Sequence, residues 1–299
     1  MYEDGKADRK WMAEVYDRMH FDHSNNISDG DKYYYGDGAK QDYAMAARLY
    51  EPAARAGDPY SQRMLGVCYW RGVGVRFDLG SAYDWFCKAA ESYDAYANYY
   101  LGEMYESGIL KPDYESRAMG YYSKASSAVP EARFREAVHT LLGRGGYKDP
   151  QRATEMLRSL AAHRFEPADD VLTNLALLPH EKDQVREWTD LADDCFISNA
   201  AKAVELYRKA AEKGNDYAQY RLGECYIEGD GVKADEREGF RWCLRAAWQG
   251  IDEARYNVGV YYYNGIGVAK SFGDAEVWLR RAIKQGHDGA KAALRKLHQ

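Results

Sequence analysis

The chain has 299 residues, a net charge of −6 and a pI near 5.7. That balance excludes nucleic acid as the expected partner, because phosphate binding needs a basic face. No apolar run reaches membrane-span length, and the start, Met1-Tyr2-Glu3-Asp4-Gly5, lacks the basic-then-apolar order of a signal sequence. No membrane insertion and a cytoplasmic location are therefore expected.

Residues 1–24 are expected to form an N-terminal helical segment. His20, Asp22 and His23 lie near its end without further ligands, so a polar helix end is the plainer reading and no metal is expected. From residue 25 a pattern sets in that recurs at nearly fixed offsets. Its first copy is eroded: Asp29 and Gly30 replace Leu-Gly, while Tyr33, Gly36, Gly38, Asp42, Ala46, Ala53 and Ala54 keep the frame. The second is the clearest, with Leu65, Gly66, Tyr69, Gly72, Gly74, Val75, Asp78, Ala82, Trp85, Lys88, Ala89 and Ala90. The third starts at Leu101, Gly102, Tyr105 and Gly108, 36 residues after the second, and loses one loop residue. A degenerate copy runs through Ala137, Leu141, Gly143, Gly145, Asp149, Ala153, Leu157 and Ala161.

Residues 163–200 break the pattern. A first helix is predicted from Ala168 to Leu178, halted by Pro179, and the next second helix from Ala201 to Gly214. Measured from Leu172, Ala203 arrives 31 residues later instead of 17, so about 14 residues are inserted. Val185, Trp188, Leu191 and Phe196 keep an apolar period, and Glu181 to Cys195 reads as an added helix or lid on the hairpin loop. The segment could equally mark a seam between two arrays. Two close copies follow, at Leu222, Gly223, Tyr226, Gly229, Gly231, Val232, Asp235, Gly239, Trp242, Arg245, Ala246, Ala247 and at Val258, Gly259, Tyr262, Gly265, Gly267, Val268, Ser271, Ala275, Trp278, Arg281, Ala282. Asp288 to His298 is expected to cap the array, with Ala290, Ala293, Leu294 and Leu297 inward.

Each copy is a helix hairpin too small to bury its own apolar faces, so stacking on neighbours completes the core. Gly66 beside Leu65 removes a side chain where the second helix must come close, and Gly72 and Gly74 end the first helix. Trp85, Trp242 and Trp278 are expected to fill the space between hairpins. The fold class is all-α: a right-handed superhelical α/α solenoid of antiparallel helix hairpins. Arrays grow without dividing, so one continuous solenoid is expected, with the repeats in 25–162, the atypical repeat with its insertion in 163–200, and repeats with a C-terminal cap in 201–299.

The Leu-Gly-x-x-Tyr, Gly-x-Gly-Val, Asp, Ala-x-x-Trp and basic-Ala-Ala elements resemble the Sel1-like repeat family, a relative of the tetratricopeptide repeats. Secreted, cysteine-rich members place cysteines around hairpin junctions. Here Cys68 and Cys225 precede the motif Tyr, Cys87 and Cys243 lie inside the second helix, and Cys195 is left over. The odd count and this placement favour free thiols in a reducing compartment, although Cys68–Cys87 and Cys225–Cys243 pairs within a hairpin stay open. Some members are associated with β-lactam chemistry, which needs a Ser-x-x-Lys nucleophile; no Ser here has Lys three residues on. The Gly-x-Gly loops follow a helix and lack the Gly-Lys-Ser/Thr ending of a phosphate loop. No catalytic constellation and no cofactor are expected.

The resemblance implies that first helices line a concave groove, at five and two residues before the motif Leu and two and five after it. These offsets give Tyr60, Arg63, Val67 and Trp70, then Tyr96, Tyr99, Glu103 and Glu106. The later copies give Tyr217, Tyr220, Glu224 and Ile227, then Glu253, Tyr256, Val260 and Tyr263. Any one of these rings can instead be core filling. As a set, tyrosines alternating with carboxylates suit a protein or peptide segment carrying Lys or Arg. A non-enzymatic scaffold is the leading expectation. A binder of cell-wall glycan, or a secreted host-interaction repeat protein, is the alternative, and a β-lactam-hydrolysing enzyme is disfavoured by the missing nucleophile.

Overall fold

The computed structural model describes residues 29–110 and 114–299; the N-terminal segment with His20, Asp22 and His23 lies outside them. The ordered elements among the described residues are all helices, with no strand, as the fold class requires. None of these helices is long and apolar enough to cross a membrane. The chain divides into two compact units: the residues up to Lys148 with Ser271–Asp274, and Asp149–Lys270 with Ala275–Gln299.

In the first unit a short turn (Asp29–Asp31) runs into a π-helical turn (Lys32–Gly36), followed by α1 (Tyr43–Arg55), α2 (Pro59–Arg71), α3 (Leu79–Glu91), α4 (Ala95–Ser107), α5 (Tyr114–Ala125) and α6 (Pro130–Leu142). Each of α1 to α4 starts where an Asp side chain accepts a free amide: Asp78 accepts from the Gly80 amide at 2.9 Å, and Asp58 from Ser61 at 2.8 Å. In this unit α2, α4 and α6 each end in a left-handed glycine, as at Gly72 with φ 69°.

The motif glycine of each first helix makes room for one side chain of its partner. A Cβ on Gly66 would stand 2.7 Å from the Phe86 ring, on Gly102 2.6 Å from Tyr122, on Gly223 2.4 Å from Cys243 Sγ and on Gly259 2.8 Å from Leu279. The second loop glycine serves the contact between hairpins. A Cβ there would stand 2.1 Å from the Tyr43 carbonyl at Gly74, 2.5 Å from Glu115 at Gly145, 2.3 Å from Ala200 at Gly231 and 2.1 Å from Glu236 at Gly267. Each of these four loops is thus seated on backbone at the start of the preceding second helix.

The second unit contains α7 (Pro150–Ala162), α8 (Glu166–Ala176), α9 (Pro179–Cys195), α10 (Ala200–Glu212), α11 (Asp216–Glu228), α12 (Glu236–Gln249), α13 (Asp252–Asn264) and α15 (Asp288–Leu297); most of α14 (Phe272–Gln285) belongs to it as well. The inserted segment is a helix, but it is no appendage to a loop. Val185 and Ala192 of α9 share a core cluster with Ala203, Leu206, Tyr207 and Ala210 of α10. The helix read as an insert therefore packs along α10 as a hairpin's first helix does, joined to it by the short link 196–199. The offset count assigns that role to α8. In the structure α8 packs on α7 and reaches α12, where Arg245 grips Asp170 with both guanidinium arms at 2.8 and 2.5 Å and Arg241 meets Glu166 at 2.6 Å.

Trp242 and Trp278 are buried as expected, but Trp85 is only half-buried, with the Lys88 ammonium 4.1 Å from its ring centre. In the first unit Trp70, Phe86 and Tyr100 already fill the position, Phe86 and Tyr100 stacking at 4.6 Å. The terminal helix α15 packs on α13 and buries Ala290 and Leu297, while Lys291, Arg295 and Lys296 are exposed. All five cysteines are free.

Candidate functional site

In the first unit the expected wall is largely self-satisfied. Trp70 is fully buried, Tyr96 is buried, and Val67 lies in the core. Arg63 is buried between the Tyr60 and Tyr96 rings, 4.8 and 5.1 Å from their centres, with its Nε 3.0 Å from Asp94. Tyr60 is half-buried and donates its hydroxyl to Asp31 at 2.7 Å, as Tyr50 does at 2.6 Å. Burial first, and then the Asp31 charge, push both phenols well above their ordinary range.

The carboxylates of this wall have partners too. Tyr122 donates to both Glu103 and Glu106 at 2.7 Å, Arg135 lies 3.7 and 3.5 Å from them, and His139 Nε2 is 3.2 Å from Glu106. Glu103 is buried and Glu106 half-buried. These acids knit α4, α5 and α6 together. Tyr99, half-buried against Tyr100 and Tyr122, is the ring of this stretch that still reaches the surface together with Tyr60.

The second unit presents its wall differently. Tyr217, Tyr220, Tyr256 and Tyr263 are all half-buried on α11 and α13. The Tyr220 hydroxyl donates to Glu224 at 2.5 Å, and burial together with that bond raises the phenol. Glu224 keeps 35% of its side chain in solvent, and Glu253 one turn before Tyr256 is exposed. The Tyr256 ring stacks on His287, centres 4.3 Å apart. Ile227 and Val260 are half-buried beside these rings' positions.

Two residues missed by the sequence reading complete this face. Arg221 lies over the Phe196 and Tyr207 rings at 5.1 and 5.4 Å and 3.5 Å from both Asp193 and Glu224. Asp193 of α9 accepts from Tyr207 and, at 3.0 Å, from Tyr217. Arg221 had a signal, since it adjoins the motif Leu222. Asp193 had none, because its place depends on α9 packing along α10. Among the described residues no group of His, Cys, Asp or Glu side chains converges as a metal site.

The face is therefore an array of phenol rings and carboxylates on α11 and α13, with one guanidinium, that of Arg221. The Sel1 repeat family matches seven segments: 30–58, 59–94, 95–128, 130–163, 197–215, 216–250 and 252–287. Over 40 residues, 13% of this chain, it is 48% identical to an exopolysaccharide production negative regulator of Rhizobium leguminosarum bv. viciae, of whose length it spans 15%. Among solved structures it is similar to a protective antigen present in uropathogenic Escherichia coli strains, at 26% identity over 97% of this chain and 59% of that one, with a TM-score of 0.44. A Sel1 repeat protein from Oxalobacter formigenes matches at 22% identity over 92% and 89% of the two chains, with a TM-score of 0.38. Since the matched repeats take in well over half of its residues, the chain belongs to the Sel1 repeat family.

Proposed function

We propose that this chain is a non-enzymatic scaffold that holds a protein or peptide segment along the aromatic and acidic first helices of its second unit. Sel1 repeats generally serve as protein-interaction scaffolds without catalysis, and the repeats fill most of this chain. The observation that carries the reading is the contrast in burial. Trp70, Tyr96 and Glu103 are consumed by the core, whereas Tyr217, Tyr220, Tyr256 and Tyr263 remain part-exposed beside Glu224 and Glu253. Rings of this kind anchor interfaces because they bring large area at low entropy cost. The acids beside them favour a segment with Lys or Arg through ion pairing and cation–π contact.

The test is a titration of immobilised peptides, Lys/Arg-bearing against their Asp/Glu counterparts, with the wild type and the Tyr220→Ala, Tyr256→Ala double variant. Basic peptides should bind better, and each lost ring should weaken binding by about 1–3 kcal/mol. Equal affinity in a folded double variant would remove this face as the contact surface.

A further inference from the structure

The terminal helix α15 begins in an unusual way. Its N-cap is His287, whose Nδ1 accepts the Ala290 amide at 3.2 Å. A ring nitrogen can accept only while it carries no proton, so this bond fixes the imidazole as neutral with its proton on Nε2. The same ring lies flat on Tyr256 of α13, 17° from parallel. One side chain therefore both starts the last helix and covers a ring of the candidate contact face.

The surroundings oppose this arrangement once a proton is added. A cation at the N-terminus of α15 faces the positive end of the helix dipole, and Nδ1–H would point at the Ala290 amide. From α13, Asp252 and Glu253 both interact electrostatically with His287, so two carboxylates draw an imidazolium away from the cap. Asp288 follows on α15 itself. Arg255 of α13 is engaged with Gln285 and the Ala247 carbonyl. At the far end of α15, His298 Nε2 lies 2.7 Å from the buried Glu276.

We infer that His287 is a proton-sensitive cap, which on mild acidification releases the first turn of α15 and uncovers the Tyr256 ring. The inference stands apart from the proposed scaffold role, since it concerns the cap whether or not Tyr256 meets a partner.

Amide exchange measured by NMR, corrected for the intrinsic pH dependence of exchange, tests it on the full chain between about pH 8 and about pH 5.5, the range in which histidine commonly changes charge. Protection of the Ala290 amide should fall roughly fivefold in the wild type, the change that the usual worth of one N-cap implies. In His287→Asn, which caps without titrating, protection should be retained at both pH values. A wild-type Ala290 amide indifferent to pH, or the same loss in His287→Asn, would overturn the inference. The ring ¹⁵N shifts of His287 supply a second check: a protonated Nδ1 at pH 8 would also overturn it.

Discussion

Glu131 shows how a single side chain in such an array can oppose its own burial. It sits in the first turn of α6, 3% exposed, and its Oε2 has no hydrogen-bond partner. Burial, with the Glu103 charge adding to it, raises its carboxyl to about 7 from 4.5. The folded state thus holds a proton that the unfolded chain releases, and stability is greatest below the unfolded value. It is lost as pH rises through about 7, by up to roughly 3 kcal/mol across that interval. Glu131→Gln keeps the shape without the charge. It should raise the melting temperature at pH 7.5 and flatten the decline between pH 5 and pH 7.5 in thermal scans. An unchanged profile would show that the group is neutralised by other means.

At the scale of elements, α9 decides how the middle of the chain behaves. Its inward side chains Val185, Thr189 and Ala192 are buried against α10, while Leu178 before it and Ile197 after it are exposed. Limited proteolysis should therefore cut first at 177–178 or 196–199, with the body of α9 surviving as a fragment edge; early cuts between Val185 and Ala192 would mean that it leaves α10 readily. The existence of this helix was legible, because Val185, Trp188 and Leu191 keep a helical period. Its partner was not. Both α8 and α9 carry an apolar stripe, and only the tertiary ion pairs Arg245–Asp170 and Arg241–Glu166 show that α8 reaches α12. The same limit applied to the candidate face. Repeat offsets place Tyr96 and Tyr217 at equivalent positions, but they do not say that Arg63 and Asp94 close over the first while the second stays part-exposed.

At the scale of the whole molecule, stability in a repeat array is a sum of hairpin terms and nearest-neighbour terms. The second loop glycines address the neighbour term directly, since each lies on the backbone that opens the preceding second helix. Gly231→Ala places a methyl group 2.3 Å from the Ala200 carbonyl carbon at a φ of 68°, so loop and neighbour must part. Urea unfolding of this variant, followed by far-UV circular dichroism, should show a lower midpoint and a broader transition than Asp230→Ala, a change in the same loop that leaves the glycine in place. The broadening arises because α9/α10 and α11/α12 no longer melt together. An equally sharp transition would place the coupling in the side chains instead.

What passes from one hairpin to the next at these loops is a space, kept open by the lack of a side chain, and a space makes no demand on the identity of what fills it. The Tyr43, Glu115, Ala200 and Glu236 starts range over an aromatic ring, a methyl group and two carboxylates, yet each receives its glycine through backbone atoms. A joint of that kind is indifferent to which hairpin precedes it. A unit cut and rejoined at equivalent positions 36 residues apart, such as Leu222 and Val258, meets the same backbone it met before, so the chain can be lengthened or shortened by whole hairpins without a new set of matched side chains at the join.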